Sequence, residues 1–139
     1  MLARLCRNRR GTAAVEFVLV APILFVLIYG AVVYGIFFAT WIAVTEAASE
    51  GARASLAGMS STERQTLATT AVDRIFNAYA PLLTTSNMSL SFPAAANANL
   101  FSVAISYNFA SSGLASFATI VPLPSTNPQI TVTVSNGGY

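Results

Sequence analysis

From Phe17 to Thr45 the chain runs for 29 residues without a charged side chain, and Val, Ile, Leu, Phe and Ala dominate it. A bilayer core of about 30 Å takes about 20 apolar residues as a helix. The run therefore predicts a membrane span over residues 17–41, with Trp41 in the aromatic belt of the far interface. Helix formers continue beyond it, with no proline, until Gly58 offers a stop. A helix over 12–57 would measure about 69 Å, more than twice the bilayer core, so its outer portion must pack on something else. Pro22 lies inside it and is expected to remove one hydrogen bond and kink the rod. Ala31, Gly35, Ala39, Ala43, Ala47, Gly51 and Ser55 place a small residue at every fourth position, a ridge that would let a second helix come close.

After Gly58 the period stays helical and then changes. Ser60 with Glu63 three residues later fits a capping box. Leu67, Ala71, Val72, Ile75, Ala78 and Tyr79 recur at helical spacing, and Pro81 closes a second helix. Glu63, Arg64, Asp73 and Arg74 read as its solvated face. Alternation then takes over in Met88–Phe92, in Phe101, Val103, Ile105, Tyr107 and Phe109, and in Ile130–Val134. Pro93, Gly113, Pro122, Pro124 and Pro128 punctuate these runs. The expected fold is α+β: a long N-terminal transmembrane helix continuing outward, a second helix, and a three-stranded antiparallel sheet with one face on a helix. About 80 residues outside a membrane make a marginal core, so the sheet is expected to lean on the outer half of the long helix, on neighbours, or on both.

Composition sharpens this picture. The chain has 139 residues, 55% hydrophobic and 9% charged, where soluble domains carry roughly 25% charged residues. Its seven cations are all arginine, and Arg4, Arg7, Arg9 and Arg10 crowd the first ten residues without an acid. That asymmetry puts the N-terminus in the cytoplasm. From Ile75 to Tyr139 no side chain is charged, so no basic face for nucleic acid exists beyond the first ten residues. Cys6 is the lone cysteine, which excludes an internal disulfide and a thiol zinc site. No apolar segment precedes it, which disfavours lipoprotein processing.

Glu16 is the most informative residue. An acid at the inner end of an apolar span is costly unless it reaches water or a partner, and a helix N-terminus accommodates it. Its setting is a basic arm, Gly11, Thr12-Ala13-Ala14-Val15, then Glu16-Phe17 and the apolar run. This order resembles the processing region of type IV prepilins, particularly those of the tight-adherence (Tad, or Flp) pilus class. Residues 11–22, followed by Ala47-Ala48-Ser49-Glu50-Gly51-Ala52-Arg53, are similar to the TadE-like family of minor pilins or pseudopilins, and the likeness covers residues 10–57. The larger TadG-like relatives share the start but add a long outer region. The resemblance implies a type IV pilin-like fold and cleavage of the 1–11 leader between Gly11 and Thr12 by a cytoplasmic-side aspartic prepilin peptidase. It makes Glu16 the fifth mature residue, Phe17 the aromatic after it, and Glu50, Gly51, Ala52 and Arg53 a family motif. Its implied partners are the prepilin peptidase, the major pilin, other minor pilins and an inner-membrane platform driven by a cytoplasmic ATPase. A new amine on Thr12 would be placed to pair with Glu16 of a neighbouring helix, setting axial stagger.

Catalysis finds no support in the residue set. Histidine is absent, the thiol sits in the leader and the serines have no evident base. Glu46 and Glu50 alone make a poor metal site, and no phosphate loop is present. The expectation is a non-enzyme with no cofactor and no small-molecule substrate, in the bacterial inner membrane with residues 58–139 as an extracytoplasmic domain. Two alternatives remain open: a permanently anchored envelope adaptor that never enters a fibre, and a secreted binding module released near residues 46–50.

Overall fold

The computed structural model describes residues 9–97, 99–111, 122, 124 and 127–135, with side chains from Thr12 onward. Most of the basic leader, Cys6 and the Gly113 turn lie outside the described residues. The element order is α1 (Arg9–Ser55), α2 (Ser61–Ala78), β1 (Met88–Ser91), β2 (Leu100–Tyr107) and β3 (Gln129–Ser135). Short 3₁₀ turns at Thr85–Asn87 and Phe109–Ser111 flank the first two strands. The arrangement is the α+β, pilin-like one expected: a long apolar N-terminal helix, a second helix and a three-stranded antiparallel sheet.

α1 holds 47 residues and continues through Pro22. It closes two residues before the expected Ala57, because Leu56, Ala57 and Gly58 donate to the carbonyls three residues back and tighten the last turn. Gly58 is required by contact: an added Cβ would lie 2.7 Å from Cγ and 2.8 Å from the backbone nitrogen of Arg64. Arg64 Nε in turn donates to the Gly58 carbonyl at 2.9 Å. The Ser60 hydroxyl caps α2 by accepting from the Glu63 amide, and the Glu63 carboxylate accepts from the Met59 amide at 2.9 Å. The capping box therefore forms, with its return bond one residue further out.

The buried stripe of α2 is Ala68, Ala71, Val72 and Phe76. Ala78 and Tyr79, assigned to that stripe from spacing, are exposed instead. Small residues at 68 and 71 admit α1 closely, and the helix ends at Ala78 with Tyr79 as its C-cap, both outside the packed stripe. A cis Ala80–Pro81 bond follows.

β2 is the central strand, antiparallel to β1 on one side and β3 on the other. Phe101, Val103, Ile105 and Tyr107 face the helices, with Val134, Val132 and Ile130 beside the first three on β3. The opposite face is polar at β3, yet Ser102 and Ala104 are buried there, and Ser102 Oγ lies 2.9 Å from Thr133 Oγ1. The alternation predicted through Phe109 breaks at Tyr107. Asn108 is bonded back to the Asn87 carbonyl, and Phe109 enters the core from a 3₁₀ turn. A line of rings then joins the elements: Phe37 to Phe109 at 5.0 Å, Phe109 to Tyr107 at 5.3 Å, and Tyr107 to Phe76 at 6.2 Å. The sheet thus leans on α1, as the size of the domain required.

Candidate functional site

The candidate functional surface is α1, a helix with two unlike halves. From Thr12 to Val32 nothing fully covers α1: Phe17, Leu19, Ile23, Phe25 and Leu27 are each more than 60% exposed. Only Ala21, Tyr29 and Gly30 are partly covered there. The stretch measures about 30 Å, the thickness of a bilayer core. A single apolar helix of this kind is consistent with one membrane anchor. Docking of the domain begins at Val33 and Phe37, both 4% exposed, and at Tyr34, whose hydroxyl donates to the Pro122 carbonyl at 2.7 Å. Contact therefore starts eight residues before Trp41, the outer end expected for the span.

The Gly11–Thr12 bond lies in the first turn of α1. Glu16 and Phe17 are exposed on bare helix. Ala31, Gly35 and Ala39 are exposed as well, and a Cβ built on Gly35 meets nothing within 4 Å. Ala43, Ala47, Gly51 and Ser55, in the same four-residue series, are buried under the chain's own domain. The split has a geometric cause. Four residues turn an α-helix by about 400°, so the row drifts about 40° per step and winds from the side facing away from the domain to the side facing it.

Around Gly51 the packing is tightest. A Cβ there would stand 2.7 Å from Val72 Cγ2 and 3.3 Å from the Ala68 carbonyl, so α2 approaches α1 through the missing side chain. Ala52 is fully buried beside it. Glu50 accepts from Arg74 at 3.0 Å, while Arg53 is exposed. One turn below, the Tyr79 hydroxyl donates to Glu46 at 2.6 Å. The bond to the Glu46 carboxylate, then its negative charge, then partial desolvation hold the Tyr79 hydroxyl above its ordinary pKa.

Spacings of four and three residues put Glu46, Glu50 and Arg53 on one face of α1. They give no sign that α2 would supply Tyr79 and Arg74, from 33 and 24 residues away, as their partners. Two residues read as the solvated face of α2 thus hold the fold together: Arg74 bridges to α1 and Arg64 fastens the turn, while Glu63 caps as its spacing from Ser60 predicts. Among the described residues no group of three or more His, Cys, Asp or Glu stands together to hold a metal.

A bare apolar rod, continued by a half buried in a small helix-and-sheet head, is a pilin-like arrangement with one candidate anchor among the described residues. Comparison with known families adds a likeness along the rod. The chain carries a TadE-like family domain at residues 11–53, a range that takes in Glu16, the small-residue row as far as Gly51, and residues Glu50 to Arg53. Such a domain implies a role in Tad pilus assembly, in a family of generally non-enzymatic structural proteins. Neither the curated proteins nor the solved structures provide a match.

Proposed function

We propose that the chain is a structural minor pilin, or pseudopilin, of a Tad-type pilus assembly apparatus. In this reading it inserts with its N-terminus in the cytoplasm and loses residues 1–11 to a prepilin peptidase. It then assembles with the major pilin and other minor pilins on an inner-membrane platform through the inner half of α1. One observation carries the proposal: the TadE-like segment coincides with a helix whose inner 21 residues are largely bare and, Thr12 and Glu16 apart, almost wholly apolar, while its outer half is occupied by its own head. Glu16 then has two environments available. It reaches headgroups and water in the free anchor, and it meets the Thr12 amine of a neighbour in an assembled bundle. In the bundle an unpaired carboxylate is heavily penalised, so the pair selects axial stagger.

Mass spectrometry of the native polypeptide tests the processing step. A first residue of Thr12 is expected, and retention of Met1 with the arginine arm overturns it. Glu16→Ala should still insert and fail to assemble. Normal incorporation of that variant into filaments would count against the role given to Glu16. The second reading, an anchored adaptor, draws on the filled Ala43–Ser55 row, which leaves the head needing no neighbour. Confinement of the chain to membranes, with none in sheared filaments, would favour it.

A further inference from the structure

We infer that the base of the outer domain sits in the lipid headgroup layer of the leaflet nearest it, with Phe38, Trp41 and Ile42 of α1 turned toward lipid beside it. The inference rests on the anchored reading above and adds where the domain meets the membrane. The first observation is a mismatch along α1. The domain docks from Val33, yet on the far side of the helix Phe38 is 54% exposed, Trp41 37% and Ile42 63%. Were water to begin at Val33, about 14 Å of helix would present these three side chains to solvent, an unpartnered apolar strip of a kind soluble surfaces keep small.

The second observation is a sorting of charge by height. α2 runs back down along α1: Val72 meets Gly51, Arg74 reaches Glu50 and Tyr79 reaches Glu46. Every carboxylate and guanidinium of the head, from Glu46 to Arg74, therefore stands at the level of Glu46 or above it. Below that level lie α1 residues 33–45 and, among the described residues of the head, Phe109 and Pro122; neither residues 33–45 nor any residue after Arg74 carries a charged side chain. Phe109 marks this lower layer at Phe37, and Pro122 marks it at Tyr34.

The third observation is polar satisfaction at the lowest point. The Pro122 carbonyl accepts from Tyr34, and Pro122 itself has no N–H to strand in a poorly hydrated layer. The lengths agree. Thr12 to Ile42 spans about 45 Å, the thickness of a bilayer with both headgroup layers at about 40–45 Å, and Glu46 follows about 6 Å further out.

Trp41 is the chain's one tryptophan, which makes it the reporter. In phosphatidylcholine vesicles holding the full chain, lipids brominated near the acyl carbonyl should remove most of its emission, and aqueous iodide little. In a Cys6→Ser background, Ala110→Cys at the base should react with an impermeant maleimide several-fold more slowly than Ser61→Cys in vesicles, and at the same rate after denaturation. Iodide quenching without lipid quenching, shielding of Trp41 from both, or equal labelling in vesicles overturns the inference. Release of the whole chain by alkaline carbonate would instead show that the anchored reading itself has failed.

Discussion

At Gly51 one hydrogen atom in place of a methyl group decides how α1 and α2 meet. Val72, whose Cγ2 would crowd an added Cβ, is β-branched, stiff about χ1 and fully buried, so it cannot swing aside. Overpacking of this kind costs about 1–3 kcal/mol, against about 1 kcal/mol that alanine gains over glycine within a helix. Gly51→Ala should therefore lose up to about 2 kcal/mol of stability, read as a lower unfolding midpoint in detergent. In a Val72→Ala background the same change should become neutral or stabilising. Tyr79 gives a pH dependence of definite sign. Its hydroxyl must keep its proton to donate to Glu46, and the fold raises its pKa above 10.0. The contribution is therefore complete below pH 10 and is lost as pH climbs through the raised value. Thermal midpoints of the wild type should fall in that alkaline window, and those of Tyr79→Phe should fall less.

Among the elements, the α1–α2–sheet junction is held by apolar contact more than by charge. The Arg74 side chain is 68% exposed and that of Glu50 32%, so the ion pair is worth at most about 1 kcal/mol. Phe109 joins α1 to β2 at 1% exposure, and removing such a ring costs about 3–5 kcal/mol. A denaturation series should rank Phe109→Ala far below Arg74→Ala; equal losses would mean the head is held electrostatically. Gly35 offers the contrast to Gly51, since open space surrounds it in the free chain. Gly35→Leu should leave the thermal midpoint unchanged. If the inner half of α1 packs on sister helices, it should also reduce recovery of the chain in sheared filaments. Element boundaries were largely legible from residue pattern: both helices, the Ser60 cap and all three strands lie within a few residues of expectation. The misses share a cause. Tyr79 and Phe109 were assigned by period to a stripe and a strand, and each lies where the element had already ended and a contact from elsewhere took over.

For the whole molecule, division of labour along α1 is the main result. About 30 Å of bare helix precedes a head whose core is marginal as an isolated unit, and the head uses α1 as one wall of that core. Cutting the spine inside that wall should therefore unfold the head. A chain beginning at Ala48 should lose cooperative melting, whereas one beginning at Ala31 should keep it in detergent. Cooperative unfolding of the shorter chain would show that the sheet and α2 suffice alone.

Local sequence determined the rod, its length, its basic start, the acid at position 16 and the change of period after Pro81, because each depends on neighbours within a few residues. It also carried the likeness to the TadE-like family, which the match at residues 11–53 bears out. Tertiary structure alone decided which half of the small-residue row is filled, who partners Glu46 and Glu50, and where along α1 the head begins. These depend on the path by which α2 and the sheet return to the helix. That path is set by shape complementarity among buried side chains far apart in the chain, which no periodicity records.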